Sequence, residues 1–515
     1  FGSSPKLTRE ESLLSNFSYR IRLICPAKVV SSSCNFDAMH AFGLAFGTAA
    51  LAVVLQGCGK PDVPSDSTST TTTTTTTEQT GPGNYDGSPK FMLEDVGMKS
   101  FSYNPLYLAD PSCLKSPGVG QCGKIINDDV SAEWAEQMWG PDGRNDIGRI
   151  RQFGANAIRL YGNDPRFSKR KFFDELVKND MKALTGMSNY PFTDPTIGCI
   201  WKNGYDCTDA AKSSYSQVLK DGEFAKNGYY HNAIEVISLM NEPDIHAWLP
   251  GEWKGSNNYI KALITAMDGL LEAEKEANIQ KWKNGKLPKL TIAWSYAMLP
   301  SGLCSPSGYI HDKKECGPSI GFMAQFYWAL QDPQDTVGYT PINDLKSVYE
   351  ERWVNSLQPF QNTDQVYREA VLPGQTLPSL KGPKMYLGEY DPAVNACADK
   401  PSCPAYGKPE LLRDLKVILS DPKWTKSIWG VSFFQYQMPY NKYEIHELQY
   451  GMFEMLPNAP WTTGYILGDD EKNHPINCLD WKVQELGEAV AEAYGGSLPD
   501  LPCPKDESES KTFVV

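Results

Sequence analysis

Between Phe91 and about Tyr494, short runs of apolar, β-branched and aromatic residues alternate with longer stretches whose apolar positions recur every three or four residues. The first kind reads as strand and the second as amphipathic helix. Eight strand candidates stand out: VGMKSFSYNP (96–105), ANAIRLYG (155–162), MKALTGMSNYPF (181–192), IEVISLMNEPD (234–244), LTIAWSYAML (290–299), IGFMAQFYWAL (320–330), PKMYLGEYDP (383–392) and IWGVSFFQYQMP (428–439). Among the helical stretches, 256–278 brings Ile260, Leu263, Ile264, Met267, Leu270 and Leu271 round at helical spacing. Alternating strands and helices predict a parallel sheet. Eight such units predict an α/β fold of the (β/α)8 TIM-barrel type in a single domain. An open doubly wound sheet is the rival, but no Gly-rich phosphate loop follows any strand.

The flanks have a different pattern. MHAFGLAFGTAALAVVLQG (39–57) is apolar and uncharged, short for a membrane span and suited to a signal-peptide core. With Met39 as the start it reads as a signal peptide. With Arg20, Arg22 and Lys28 before it, it reads as a signal anchor, and Leu55-Gln56-Gly57-Cys58 resembles a lipoprotein cleavage box. All three readings export the rest of the chain, which places it outside the cell or on its surface. SDSTSTTTTTTTTEQTGPG (65–83) has nothing with which to build a core and reads as a linker or O-glycosylated stalk. The predicted organisation is a leader or cytosolic tail (1–38), signal or anchor (39–58), linker (59–88), barrel domain (89–496) and C-terminal tail (497–515), with ordered structure starting near Pro89.

Composition narrows the function. With 515 residues and 41% hydrophobic content the chain can bury a large core. A net charge of −13 argues against nucleic acid as a partner. Of the 13 cysteines, ten fall in close pairs, Cys113/Cys122, Cys199/Cys207, Cys304/Cys316, Cys397/Cys403 and Cys478/Cys503. This predicts loops pinned by short-range disulfides, hence an oxidising compartment. No pair has the CxxC spacing of a zinc site and only six histidines are present, so no metal site is expected.

Polar residues gather at the C-terminal ends of the strand candidates: Asn104, Arg159 with Tyr161, Asn189, Asn241 with Glu242, Tyr327, Glu389 and Gln435. In a (β/α)8 barrel those ends form the active-site face. A retaining glycosidase needs two carboxyl groups about 5–5.5 Å apart, one to donate and accept the proton and one to attack the anomeric carbon. Glu242 ends the fourth candidate strand and Glu389 the seventh. Each follows an apolar run that would desolvate it partly.

These residues carry a family resemblance. The chain resembles the clan A glycoside hydrolases, and within them most closely the family 72 β-1,3-glucanosyltransferases, with the family 17 β-1,3-glucanases and family 5 glycosidases as neighbours. The resemblance runs in patches over about residues 91–440. It is most specific at NDIGRIRQFGANAIRLYGNDP (145–165), and SLMNEPD and YLGEYDP carry the two glutamates. It implies Glu242 as acid/base, Glu389 as nucleophile, Asn241 as a donor to the sugar 2-hydroxyl and Arg159 as the cation facing the nucleophile. Tyr161 and Tyr327 are similar to tyrosines around the scissile bond. Asn104 stands where a Gln is usual, and Asn189 and Gln435 complete the substrate-binding set. Trp201, Trp248, Trp294 and Trp328 are candidate sugar platforms, Trp294 foremost. The resemblance further implies a secreted enzyme, monomeric and free of cofactors, acting on a β-linked polysaccharide or oligosaccharide. The sequence departs from family 72 in having Glu-Pro at the fourth strand, as in family 5, and Glu-Tyr-Asp at the seventh. These departures leave mannan or cellulose as alternative substrates, and a catalytically inactive wall-binding protein as the alternative from another class.

Overall fold

The computed structural model describes residues 84–108, 114, 129–193, 198–246, 256–295, 313–316, 319–392, 407–442, 447–466, 473–501 and 503. Their centre is a closed barrel of eight parallel strands in sequential order: β1 (Met98–Ser102), β2 (Ala157–Arg159), β3 (Lys182–Gly186), β4 (Ile234–Asn241), β5 (Lys289–Trp294), β6 (Asn355–Leu357), β7 (Met385–Tyr390) and β8 (Ile428–Phe433). β8 returns to β1 with Met98 opposite Gly430 and Phe101 opposite Phe433. Helices α1 (Asp146–Gln152), α2 (Arg170–Lys178), α3 (Thr208–Lys220), α4 (Ser256–Glu276), α5 (Gly321–Gln331), α6 (Leu345–Arg352), α7 (Lys408–Ser420) and α8 (Gln484–Tyr494) alternate with the strands. A helical run over 363–376 lies between β6 and β7. The sequence therefore folds as the (β/α)8 TIM barrel its pattern predicts.

One expected strand is a helix. Residues 321–330 of this run lie in α5, and the sixth strand is the three-residue β6 that the hydropathy pattern does not announce. The physical reason is visible in the composition. IGFMAQFYWAL is apolar all round, so periodicity cannot assign it, yet at this length with Met, Ala, Gln and Leu and a single β-branched residue the helix wins. Phe326 of α5 stacks on Trp353 at 4.9 Å between ring centroids, and the α5 residue Phe322 stacks on Trp294 at 6.1 Å. The helix thus seals the outside of the barrel beside β5 and β6.

The barrel interior changes character along its axis. Met98, Ala157, Leu184, Val236, Val354, Tyr386 and Trp429 form an apolar cluster with Leu93, which comes from a helical turn at Leu93–Val96 just before β1. Further along the same strand faces lie the buried polar residues Ser100, Ser102, Arg159 and Ser356, two or four positions after Met98, Ala157 and Val354. One end is therefore closed by hydrocarbon, and the end where the strands finish is polar.

Packed structure is already present ahead of the expected start near Pro89. Asn84 accepts a backbone hydrogen bond from Asn232, its side chain donates to Asp174, and Tyr85 is buried, so residues 84–88 already belong to the barrel rather than to a linker. At the other terminus Ser497 donates to the Gln152 carbonyl, which docks the start of the expected tail. Of the five expected disulfides, Cys199–Cys207 and Cys478–Cys503 are formed, with Cα separations of 5.0 and 5.8 Å. The other three expected pairings fall beyond what the structure describes. Cys113 and Cys122, Cys397 and Cys403, and Cys304 with the side chain of its expected partner Cys316, all lie outside the described residues. So do the expected leader, the apolar stretch 39–57 and the Thr-rich run. Among the described residues no helix is long and apolar enough to cross a membrane.

Candidate active site

Arg159 ends β2 and is 3% exposed, so each of its N–H groups needs an acceptor within the barrel. Its Nη1 donates to Glu389 Oε1 at 2.5 Å, to Tyr161 Oη at 2.9 Å and to the Gly388 carbonyl at 3.1 Å. Its Nη2 donates to Asn241 Oδ1 and to Gln358 Oε1, both at 2.6 Å. One guanidinium therefore ties the ends of β2, β4, β6 and β7 together. Position 388 is close-packed against β6: a Cβ there would lie 2.7 Å from Ser356 Oγ, while Arg159 Cζ, at 3.6 Å, would be in ordinary contact.

Tyr161, two residues past Arg159, donates to the same oxygen of Glu389 at 2.7 Å, and the guanidinium lies 4.4 Å from the centre of its ring. Glu389 thus receives two hydrogen bonds on Oε1, one of them charge-assisted. Gly186, at the end of β3, keeps Tyr161 in place by its size. A Cβ there would come within 2.1 Å of the Tyr161 carbonyl oxygen.

The end of β4 is held differently. Asn189, three residues past β3, accepts from the Asn241 backbone N–H through Oδ1 and donates to the Asn241 carbonyl through Nδ2, both at 3.1 Å. Arg159 fixes the Asn241 amide oxygen, which leaves its NH2 as the donor for a ligand. The next residue, Glu242, has φ of +47°, in the left-handed region that costs a non-glycine residue about 1–2 kcal/mol. Its N–H pairs with the Ala293 carbonyl of β5 at 2.7 Å, which holds the turn.

The two carboxyl groups sit in opposed surroundings. Burial, then the charge of Glu389 and then that of Asp244, push the Glu242 carboxyl up to about 8, against a smaller opposing pull from a Ser295 hydrogen bond and Arg159. Glu389 instead faces the guanidinium and a tyrosine hydroxyl. One carboxyl is thus desolvated beside like charges, and the other is paired with a cation.

Beneath the rim a second buried charge pair braces the site. Arg144 and Asp146 are both 0% exposed, and they join through Nε at 2.9 Å and Nη2 at 2.7 Å. Asp146 also accepts from Tyr103 Oη at 2.9 Å and Tyr436 Oη at 3.0 Å. Tyr103 directly precedes Asn104 and Tyr436 directly follows Gln435. The pair therefore pins the chain beside both of these rim positions, one past β1 and the other past β8.

No protein-family model matches the sequence, and neither does any curated protein. The chain is similar to solved structures of Gas2. A crystal structure of ScGas2 in complex with compound 8 shares 11% identity, covers 81% of this chain and 68% of that one, and has a TM-score of 0.42. Saccharomyces cerevisiae Gas2p in complex with laminaripentaose shares 12% identity over 81% and 68%, with a TM-score of 0.40. ScGas2 in complex with compound 6 shares 13% over 80% and 74%, with a TM-score of 0.41.

The structure brings together Arg159, Tyr161, Asn189, Asn241, Glu242 and Glu389, and sets Asn104 and Gln435 just past their strand ends. It does not bring in Tyr327 or Trp294. Tyr327 lies on α5 and packs against Trp328 and Tyr349. Trp294 ends β5 as expected but is 1% exposed and stacked on Phe322, with its ring turned into the packing around α5. Trp328 donates its Nε1–H to Glu315. The side chain of Trp201, and Trp248 as a whole, lie outside the described residues. Two features escaped the sequence reading. One is Gln358, which follows a strand too short to be recognised. The other is a ring cluster of Phe360, Phe434 and Tyr450 past the ends of β6 and β8, with centroids 4.9–6.4 Å apart. Among the described residues no group of three or more His, Cys, Asp or Glu side chains could hold a metal ion.

Proposed function

We propose that the protein is a retaining β-glucan-active enzyme, a β-1,3-glucanosyltransferase or β-1,3-glucanase similar to family 72, working by double displacement. The observation that carries this reading is the pair of carboxyl groups at the ends of β4 and β7 with opposite environments. Glu389 attacks the anomeric carbon through Oε2, the oxygen not engaged by Arg159 and Tyr161, while Glu242 delivers its proton to the departing glycosidic oxygen. The C1–O bond breaks and a glycosyl-enzyme ester forms. Glu242, now a carboxylate, takes a proton from water or from a sugar hydroxyl. That oxygen attacks C1 and frees Glu389. The Asn241 NH2 donates to the sugar 2-hydroxyl, a contact that strengthens as charge develops at C1. The partly exposed rings of Phe360 and Phe434, packed on the buried Tyr450, offer apolar faces for neighbouring sugar units. This chemistry calls for no metal or organic cofactor.

The resemblance over 145–165 puts β-1,3-glucan first among substrates. The Glu242-Pro243 step, similar to family 5, supports mannan or cellulose as the second reading, and turnover across a panel of purified polysaccharides separates the two. Export through residues 39–57 and a Thr-rich stalk ending before Asn84 belong to the same proposal, as does action as a monomer.

The proton on Glu242 gives a direct test. A general acid works only when protonated, so kcat/KM is expected to hold at neutral pH and fall as pH rises through about 8, by about tenfold per unit well above it. In Glu242→Gln, assayed on a substrate whose leaving group needs no proton, that limb disappears. An unchanged alkaline limb in the variant would remove Glu242 from the role.

A further inference from the structure

Gln358 is a side-chain partner of Arg159 to which the mechanism above assigns no role. It is fully buried, and its amide orientation is set by chemistry: a guanidinium has only donors, so the amide oxygen must face it. We propose that Gln358 is a positioning residue, a neutral acceptor that fixes the Arg159 guanidinium toward Glu389 without drawing its charge away from that carboxylate. This rests on the reading of Glu389 as nucleophile.

Donor accounting supports it. Nη2 carries two hydrogens and meets two acceptors, Asn241 Oδ1 and Gln358 Oε1, at equal distances of 2.6 Å. Both are amide oxygens, so neither competes as an anion. The carboxylate bound to this guanidinium is Glu389, through Nη1. With one amide on β4 and the other past β6, Nη2 is held from two sides and the planar fork cannot swing about the side-chain axis. The cost appears on Gln358 itself, whose Nε2 is buried without a hydrogen-bond partner among the described residues. An unpaired buried donor is destabilising by about 1–3 kcal/mol, so the residue type serves something other than stability at this position. A methionine would fill the same space without that penalty. A glutamate would pair with Arg159 more strongly, but as a second carboxylate on the same cation. The titratable groups packed around the pair are Tyr161 past β2, Glu242 past β4 and Tyr386 on β7.

The test reads the ionisation of Glu389 without requiring turnover. Full-length protein carrying 13C at the glutamate side-chain carboxyls is titrated by NMR, the Glu389 signal being assigned by its loss in Glu389→Gln. Gln358→Glu is expected to raise the Glu389 midpoint by about one pH unit or more, because a like charge now shares its cation. Gln358→Met, nearly equal in size, is expected to raise it by about half as much, because the fork is freed to turn toward Asn241. Thermal unfolding of both variants separates these shifts from loss of fold. Midpoints equal to wild type in both folded variants would overturn the proposal. A shifted midpoint in the Gln358 variants together with undiminished turnover in Glu389→Gln would instead overturn the nucleophile reading and leave the positioning role in place.

Discussion

Replacing Glu389 with alanine is expected to lower turnover of an aryl β-laminari-oligosaccharide by about 10^4-fold or more, since the variant loses the attacking atom and not merely a contact. The cavity left by the carboxylate lies beside Arg159 and Tyr161, whose N–H and O–H groups now lack their anion. A small anion such as azide should bind there, attack C1 from the face opposite the leaving group and restore part of the rate. Its product is then the α-glycosyl azide. In Glu242→Ala the same anion should enter from the leaving-group side, after the glycosyl-enzyme has formed, and give the β-glycosyl azide. NMR of the two products assigns the two carboxyl groups independently of any rate. A β-azide from the Glu389 variant, or a rate within about tenfold of wild type, would exchange or abolish the roles.

Asp146→Ala is expected to destabilise the fold by about 3–5 kcal/mol, because it leaves the fully buried Arg144 guanidinium without its counter-charge. The Tyr103 and Tyr436 hydroxyls lose their acceptor at the same time. The pair itself is not required to be stabilising. Removing both charges, as in Arg144→Met with Asp146→Leu, should recover most of the loss, since buried ion pairs and apolar replacements of similar size are often close in energy. Urea unfolding midpoints measure both values. A single-variant loss below about 1 kcal/mol would show that the site bracing past β1 and β8 does not depend on this charge.

The contrast between those two sites shows what a sequence can reveal. The placement of the two glutamates at strand ends was legible because each follows an apolar run and falls in a short motif, Asn-Glu-Pro in one case and Gly-Glu-Tyr in the other. Arg159 was legible for the same reason. Asp146 lies in the most family-like stretch of the chain, yet its role depends on two tyrosines 43 and 290 positions away, and no local pattern encodes that meeting. Gln358 was hidden because β6 is three residues long and begins with Asn and Ser, while α5 nearby offered a longer apolar run. Trp294 shows a different limit. Parallel barrel strands are buried on both faces, so hydropathy could place it at the end of β5 but not say whether its ring faces the barrel axis or the helices. It faces the helices.

The central claim, a two-glutamate barrel that acts on β-1,3-glucan, meets its most direct test in the products formed from laminari-oligosaccharides reduced at one end, resolved by mass. The expected result is a ladder containing products both shorter and longer than the substrate if sugar is the acceptor, or only shorter ones if water is, with neither formed by Glu389→Ala. An unchanged oligosaccharide after incubation with folded wild-type protein would contradict it.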